Sequence, residues 1–298
     1  MQPALSHGCR RPSRCTRLVA MDATFQDRTV IITGASAGIG AAAARRFASA
    51  GARLVLVARN QRSLQTFAAT LPEGTEAVSV AMDVADDAAC RALFERAEAA
   101  FGAVHCLVNN AGLHARGSVE EKAAEELTAM VDVNLRAPIL LSRLAIPRIR
   151  QAGGGAIVNV ASLAGCTPVP GSVTYAATKA GLRSFSHGLA EELRGSGIHV
   201  GVVSPGPVDT GFIMEELDEV TDLSLSQPMS TPEAVAEAIL RVASGGAVEE
   251  KMPRLSGVTA DLVYLFPGLR RAMEPLLSRK GKKAREYYKA RRAGREDG

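Results

Sequence analysis

The chain has 298 residues, 47% of them hydrophobic, and a formal net charge of +4. That length admits one large α/β domain or two small ones with a full core. The longest apolar stretches, such as Leu54–Ala58, are strand-sized and fall short of the ~18 residues a membrane span needs. The charge is unevenly spread: residues 1–20 hold four arginines and no acid, and residues 270–298 hold eleven bases against four acids. An acidic body between two basic ends gives no reason to expect nucleic-acid binding by the fold. The five cysteines (Cys9, Cys15, Cys90, Cys106 and Cys166) lack C-x-x-C spacing. Their pattern favours reduced thiols in a cytosol-like compartment, with neither a disulfide framework nor a metal site.

The first twenty residues carry no hydrophobic run of the kind a secretory signal contains, and their arginine- and serine-rich composition is compatible with a transit peptide. The preferred reading places residues 1–24 outside the fold as a disordered extension, with Met21 a candidate start. From Phe25 the pattern alternates between strand and helix. Thr29–Thr33, Arg53–Ala58, Glu76–Met82, Cys106–Asn109, Ala156–Val160 and Val200–Ser204 read as strands. Between them, helices are expected over Ile39–Ala50, Gln61–Thr70, Asp86–Phe101, Glu120–Asn134, Leu135–Arg150 and Tyr175–Arg194. Pro232–Ala243 follows as a helix opened by Thr231 and by proline at its first position. Short apolar strands separated by helices predict a single α/β domain: a Rossmann-like, doubly wound parallel sheet with helices on both faces.

Two local patterns carry chemistry. Gly34, Gly38 and Gly40 lie in a turn between the first strand and helix, where glycines let backbone approach a pyrophosphate. Tyr175 and Lys179 stand four residues apart on one helical face, which brings an ammonium beside a phenol. A free phenol has a pKa of ~10, and bringing it into working range near neutrality takes ~3–4 kcal/mol of preferential phenolate stabilisation. The expectation is that Lys179 supplies it, while Ser162 holds a substrate oxygen.

These motifs, in this order, resemble the short-chain dehydrogenase/reductase family. They are Thr33-Gly34-x-x-x-Gly38-x-Gly40, Asp83-Val84, Asn109-Asn110-Ala111-Gly112, Asn134, Ser162, Tyr175-x-x-x-Lys179 and Pro205-Gly206-x-x-x-Thr210. The match runs from about Arg28 to Thr210. The resemblance implies a dinucleotide-binding catalytic domain over residues 25–260, followed by a basic tail over 261–298. It further implies that Ser36 and Ile39 share the phosphate-binding turn and that Asp83 meets the adenine amino group beside the Val84 backbone. Asn110, Ala111 and Gly112 would border the adenine-ribose side. Pro205, Gly206, Val208 and Thr210 would hold the nicotinamide amide. Lys179 would also bind the nicotinamide ribose, Asn134 would keep a proton-relaying water, and Ser162 would polarise the reacting oxygen.

At the end of the second strand, where an NAD enzyme usually places an acid, Ala58 is followed by Arg59. A guanidinium there suits a 2′-phosphate, so NADP(H) is preferred, with NAD(H) the alternative. The leading expectation is an NADP(H)-dependent oxidoreductase acting on a hydrophobic carbonyl or secondary alcohol. An NAD-dependent alcohol dehydrogenase and a noncatalytic cofactor sensor on the same fold are the alternatives.

The segment Gly211–Ser230, with Phe212, Ile213, Met214, Leu217, Leu223 and Met229, stands where the family carries a mobile substrate lid. Apolar side chains there read equally well as substrate wall or as core of a helical loop. His114 and Cys166 read as loop residues with no ligand or nucleophile role. In the tail, Leu262–Pro267 precedes a basic, helix-compatible stretch. It reads as a solvated helix closing the pocket, as an oligomer contact, or as a peripheral membrane-surface anchor. A homodimer or homotetramer in the cytoplasm is the expected form.

Overall fold

Seven parallel strands form one sheet in the order β3-β2-β1-β4-β5-β6-β7 in the computed structural model, which describes residues 24–214 and 217–296. The strands are β1 (Thr29–Thr33), β2 (Arg53–Ala58), β3 (Ala77–Ala81), β4 (Cys106–Asn109), β5 (Gly155–Val160), β6 (Ile198–Pro205) and β7 (Glu249–Met252). The order reverses between β1 and β4, where Ile32 pairs with both Leu56 and Val108. In such sheets the ligand crevice opens at the carboxyl ends of the strands flanking the reversal. The proposed extension over residues 1–24 lies, apart from Thr24, outside the described residues, as do Cys9 and Cys15.

The central strands β1, β2, β4 and β5 are largely apolar because both faces of the sheet are covered there, so no hydrophobic–polar alternation survives in their sequence. The pleat sends alternate residues into two separate cores. Val30, Ile32, Leu54 and Leu56 pack beneath α1 (Gly38–Ser49) and α9 (Pro232–Ala243), with Phe47, Val235 and Ile239. Ile31, Val55, Val57 and Leu107 face the other layer, with Phe94, Leu141, Ile149 and Leu189. That second layer is built by α3 (Asp87–Phe101), α5 (Ala137–Gln151) and α6 (Val173–Glu192).

Local signals explain several boundaries. Asn60 caps α2 (Gln61–Ala68), its side chain accepting from Ser63 N, and Asp86 caps α3 by accepting from Ala88 N and Ala89 N. Gly102 ends α3 in the left-handed conformation. Thr231 caps α9, accepting from Ala234 N.

The structure differs from the expected elements at two places. The two helices predicted over 120–150 are one continuous run: α4 (Ala124–Val131), a π-helical turn over Asp132–Arg136, then α5. Pro138 has no N–H to offer the Asn134 carbonyl, and the ordinary i→i−4 bond is lost there. The wider turn that replaces it holds Asn134, and such turns recur at functional sites. Strand β7 was absent from the prediction because Glu-Glu-Lys-Met has no apolar run. It pairs with β6 as an edge strand, and charge holds its side chains where apolar packing does not. Arg183 donates to both Glu249 carboxylate oxygens (2.7 and 2.8 Å), and Ser204 Oγ donates to Glu249 at 3.0 Å.

Beyond the sheet, a short 3₁₀ turn (Leu163–Cys166) follows β5, and α7 (Gly211–Met214) and α8 (Asp222–Leu225) follow β6. Helix α10 (Arg254–Leu265) runs through position 260 without a break, burying Ala260 and Val263, and α11 spans Pro267–Glu296. Among the described residues, no helix is long and apolar enough to cross a membrane.

Phe47 is fully buried in α1 and meets Phe25 edge-on, ring centroids 4.9 Å apart. Phe47→Ala is expected to lower unfolding stability by ~3–5 kcal/mol in urea titrations, through lost burial and the cavity left behind.

Candidate active site

The crevice at the reversal is assembled by a tie between two strand ends. Thr33 Oγ1 accepts from both Asn110 N and Ala111 N at 3.0 Å. In return, Asn110 Nδ2 donates to Thr33 O (2.9 Å) and Gly34 O (3.3 Å). Gly34 has φ +67°, a conformation that a side chain would strain. Gly40 packs so closely that a Cβ there would lie 2.1 Å from Gly34 O. Ala37 precedes α1 without any side-chain cap, so the first-turn N–H groups face the crevice with no side-chain acceptor. That is a ready site for a phosphate.

A cleft of about 570 Å³ runs from this turn along the strand ends. Of the site residues inferred from sequence, all line it except Gly40 and Asn134. Gly40 acts from behind by letting α1 approach. Asn134 is fully buried in the π turn, where Oδ1 accepts from Leu113 N (2.8 Å) and Nδ2 donates to Leu113 O (2.8 Å) and Thr178 Oγ1 (3.2 Å). It staples the loop after β4 to α6. Arg59 is exposed at the far mouth, and Asp83 Oδ1 accepts from Ala85 N at 2.9 Å.

At the other end stand Ser162, Tyr175 and Lys179. Helix α6 is held to the sheet by a buried polar chain in which Asn109 Nδ2 donates to Asn159 Oδ1 and Asn159 Nδ2 to Ser186 Oγ, both at 2.8 Å. That chain sets the height at which the first turn of α6 presents Tyr175. Ser162 leaves the end of β5, its Oγ accepting from Ala164 N (3.1 Å), and it hydrogen-bonds Tyr175. Lys179 Nζ donates to Val160 O at 2.8 Å and stands 5.8 Å from the Tyr175 ring centre.

The electrostatics correct one expectation. Lys179 was expected to depress the Tyr175 pKa, yet the phenol is raised above its ordinary value, because burial disfavours the phenolate. The Ser162 hydrogen bond and the Arg116 charge pull the other way and are smaller. Lys179 itself is brought down to about 8 by burial, its ammonium turned to the Val160 carbonyl.

His114, expected to have no ligand or nucleophile role, stands against Tyr175. Its ring stacks on Tyr175, with centroids 4.0 Å apart and planes at 14°, and Nε2 lies 3.1 Å from Ser172 Oγ. Burial first, then the charges of Arg116 and Lys179, hold its pKa down to about 3. Arg116, only 8% exposed, lines the same end of the cleft. Neither residue lies in a motif. The available signal was their place on the loop leaving β4, two to four residues past Gly112. Cys166 fits its unreactive reading: it is buried with Leu163 and Ala260, and burial raises its thiol pKa.

The segment after β6 divides between the two roles left open for it. Ile213, Val220 and Leu223 line the cleft, and Val220 also forms a small core with Leu217 and Leu225, on which Ile213 and Met229 pack. The side chains of Phe212 and Met214 lie outside the described residues.

Comparison with known proteins agrees with this architecture. The family model described as short chain dehydrogenase matches residues 28–221. The ketoacyl reductase HetN of Nostoc sp. is 35% identical over 228 residues, 76% of this chain and 78% of that protein. Sulfoacetaldehyde reductase 2 of Chromohalobacter salexigens is 37% identical over 187 residues, 62% of this chain and 74% of that one. Among solved structures, levodione reductase superposes with a TM-score of 0.71 at 26% identity, covering 78% of this chain and 99% of its own. L-sorbose reductase from Gluconobacter frateurii, complexed with NADPH and L-sorbose, gives 0.67 at 30% identity, with 76% and 94% covered. A metagenomic short-chain oxidoreductase in complex with NADP gives 0.65 at 32% identity, with 77% and 98% covered. The chain belongs to the short chain dehydrogenase family and is an oxidoreductase with a Rossmann-type fold.

The depressed pKa of His114 has a consequence for stability. Below the unfolded value of ~6.5 the unfolded chain takes up a proton that the folded site refuses down to about 3. His114 therefore contributes a loss of stability as pH falls through that window. In urea titrations at about pH 7 and pH 4.5, His114→Asn is expected to lose less stability between the two conditions than the parent chain does.

Proposed function

We propose that this protein reduces a hydrophobic ketone or aldehyde with NADPH, Tyr175 acting as the proton donor. The observation that carries the reading is geometric: Tyr175 hydrogen-bonds Ser162 in the cleft, with buried Lys179 one turn further along α6. A phenol is protonated near neutrality and can give that proton to the oxygen of a carbonyl as it becomes an alkoxide, which is the reductive direction.

The cleft suits the dinucleotide. The Gly34–Gly40 turn offers uncapped N–H groups to the pyrophosphate, and Pro205, Gly206, Val208 and Thr210 line the same cleft for the nicotinamide amide, Thr210 standing against Gly38. Arg59 stands at the mouth beyond β2, in place to meet a 2′-phosphate, and two structural relatives are complexes with NADP or NADPH. When bound, the nicotinamide supplies hydride to the carbonyl carbon. Ser162 donates a hydrogen bond to the carbonyl oxygen, and Tyr175 passes its phenolic proton to that oxygen as the C–H bond forms, leaving an alcohol. Lys179, with a pKa near 8, returns a proton toward Tyr175 from the side held by Asn134 and Gly112. The wall opposite comprises Leu113, Leu163, Val169, Ile213, Val220 and Leu223, which fits an apolar substrate body. Relatives named as ketoacyl and sulfoacetaldehyde reductases support the carbonyl class.

Tyr175→Phe is expected to lower turnover by ~10²-fold or more while leaving NADPH affinity within about threefold. Enhancement of reduced-nicotinamide fluorescence measures the affinity. Full residual activity in this variant would reject the mechanism. Separately, Arg59→Ala is expected to weaken NADPH binding by about fivefold to tenfold and NADH binding hardly at all, the loss of a phosphate contact. A parent chain that prefers NADH would instead point to an NAD-dependent dehydrogenase, and binding of neither would point to a noncatalytic protein.

A further inference from the structure

The segment 217–226 has one face on the cleft and the other on the C-terminal helix. Val220, Leu223 and Ser224 line the cleft wall. Behind them, one stripe of α11 makes three kinds of contact with the same segment. Arg285 Nη1 donates to Leu217 O and Asp218 O, both at 2.8 Å, and Nη2 donates to Val220 O (2.6 Å) and Asp222 Oδ1 (2.7 Å). Ala284 and Tyr288 pack on the small core of Leu217, Val220 and Leu225. Gly281 sits so close that a Cβ on it would lie 1.9 Å from Asp222 O. One turn further on, Lys289 pairs with Asp218. Positions 281, 284, 285 and 288 share a helical face, so the three contact types form one continuous seat.

We propose that Arg285 is a positioning residue for the substrate wall, with α11 as the clamp that sets where Val220, Leu223 and Ser224 stand. A short irregular segment leaves carbonyls that need donors, and the planar guanidinium supplies three of them while pairing Asp222. An ammonium is a point charge and does not reproduce that fork. A glycine inside α11 costs helix stability relative to alanine, so its presence at 281 matches the close approach to Asp222. Both residues lie beyond the 28–221 stretch that matches the family model. The effect on turnover rests on the carbonyl-reductase reading above; the clamp itself does not.

The test uses the full chain with Arg285→Lys and Gly281→Ala. Amide hydrogen exchange is measured across residues 217–226 and, for comparison, across β1, β4 and β5, with and without NADPH. Both variants are expected to exchange about tenfold faster over 217–226, the equivalent of one lost charge-assisted contact, with the sheet unchanged. Unchanged exchange over that segment overturns the proposal, even where the chain reduces no carbonyl at all. Kinetics with acetophenone and decanal then read the consequence for the wall. For either probe that the parent reduces, KM is expected to rise at least about fivefold while kcat and the NADPH affinity stay within about twofold. A loosened segment with unchanged KM overturns the positioning role.

Discussion

The hydrogen bonds of Thr33 and Asn110 across the β1–β4 reversal are the constraint on which the site depends. A parallel sheet that changes winding direction leaves two strand ends diverging, and the crevice between them is useful only if its width is fixed. Thr33 Oγ1, accepting from two successive N–H groups, and Asn110 Nδ2, donating to two successive carbonyls, fix it at both atoms of the turn. The glycines at 34 and 40 are consequences of the same tie, since Asn110 and the Gly34 carbonyl occupy the space that side chains there would need. Across the crevice, the Asn109–Asn159–Ser186 chain holds α6, the helix that carries Tyr175, to the ends of β4 and β5.

Within that frame, burial sets the protonation state of the titratable side chains in the cleft more than pairing does. It raises Tyr175, lowers Lys179 to about 8 and holds His114 to about 3. All three shifts favour the neutral form, as a low-dielectric site requires. A neutral, protonated phenol stacked on a neutral imidazole is a different starting point from the phenolate–ammonium pair that the four-residue spacing suggests on its own. The spacing places the two side chains on one face of α6, but the Val160 carbonyl decides which way the ammonium turns.

The central strands and most helices were legible because burial of both sheet faces makes short apolar runs unavoidable, and because caps such as Asp86 and Thr231 mark helix starts chemically. Strand β7 was not legible, since its residues are charged and its place depends on Arg183 from a helix sixty residues earlier. The π turn at Asn134 was half legible: the boundary between the two expected helices, at Asn134–Leu135, falls inside it. Proline marks such a place without saying whether the helix breaks or widens.

Sequence alone determined the chemistry available. The turn glycines, Ser162, Tyr175 and Lys179 are identities whose spacing already implies a phosphate cradle and a proton donor, since both properties arise from local backbone geometry. Tertiary structure decided what surrounds them. That His114 and Arg116 stand at Tyr175, that Leu217 turns to α11 while Val220 also reaches the cleft, and that Arg285 caps carbonyls more than sixty positions away are all contacts between distant segments. No local pattern encodes such contacts, because they exist only once the two cores have packed and brought the segments together.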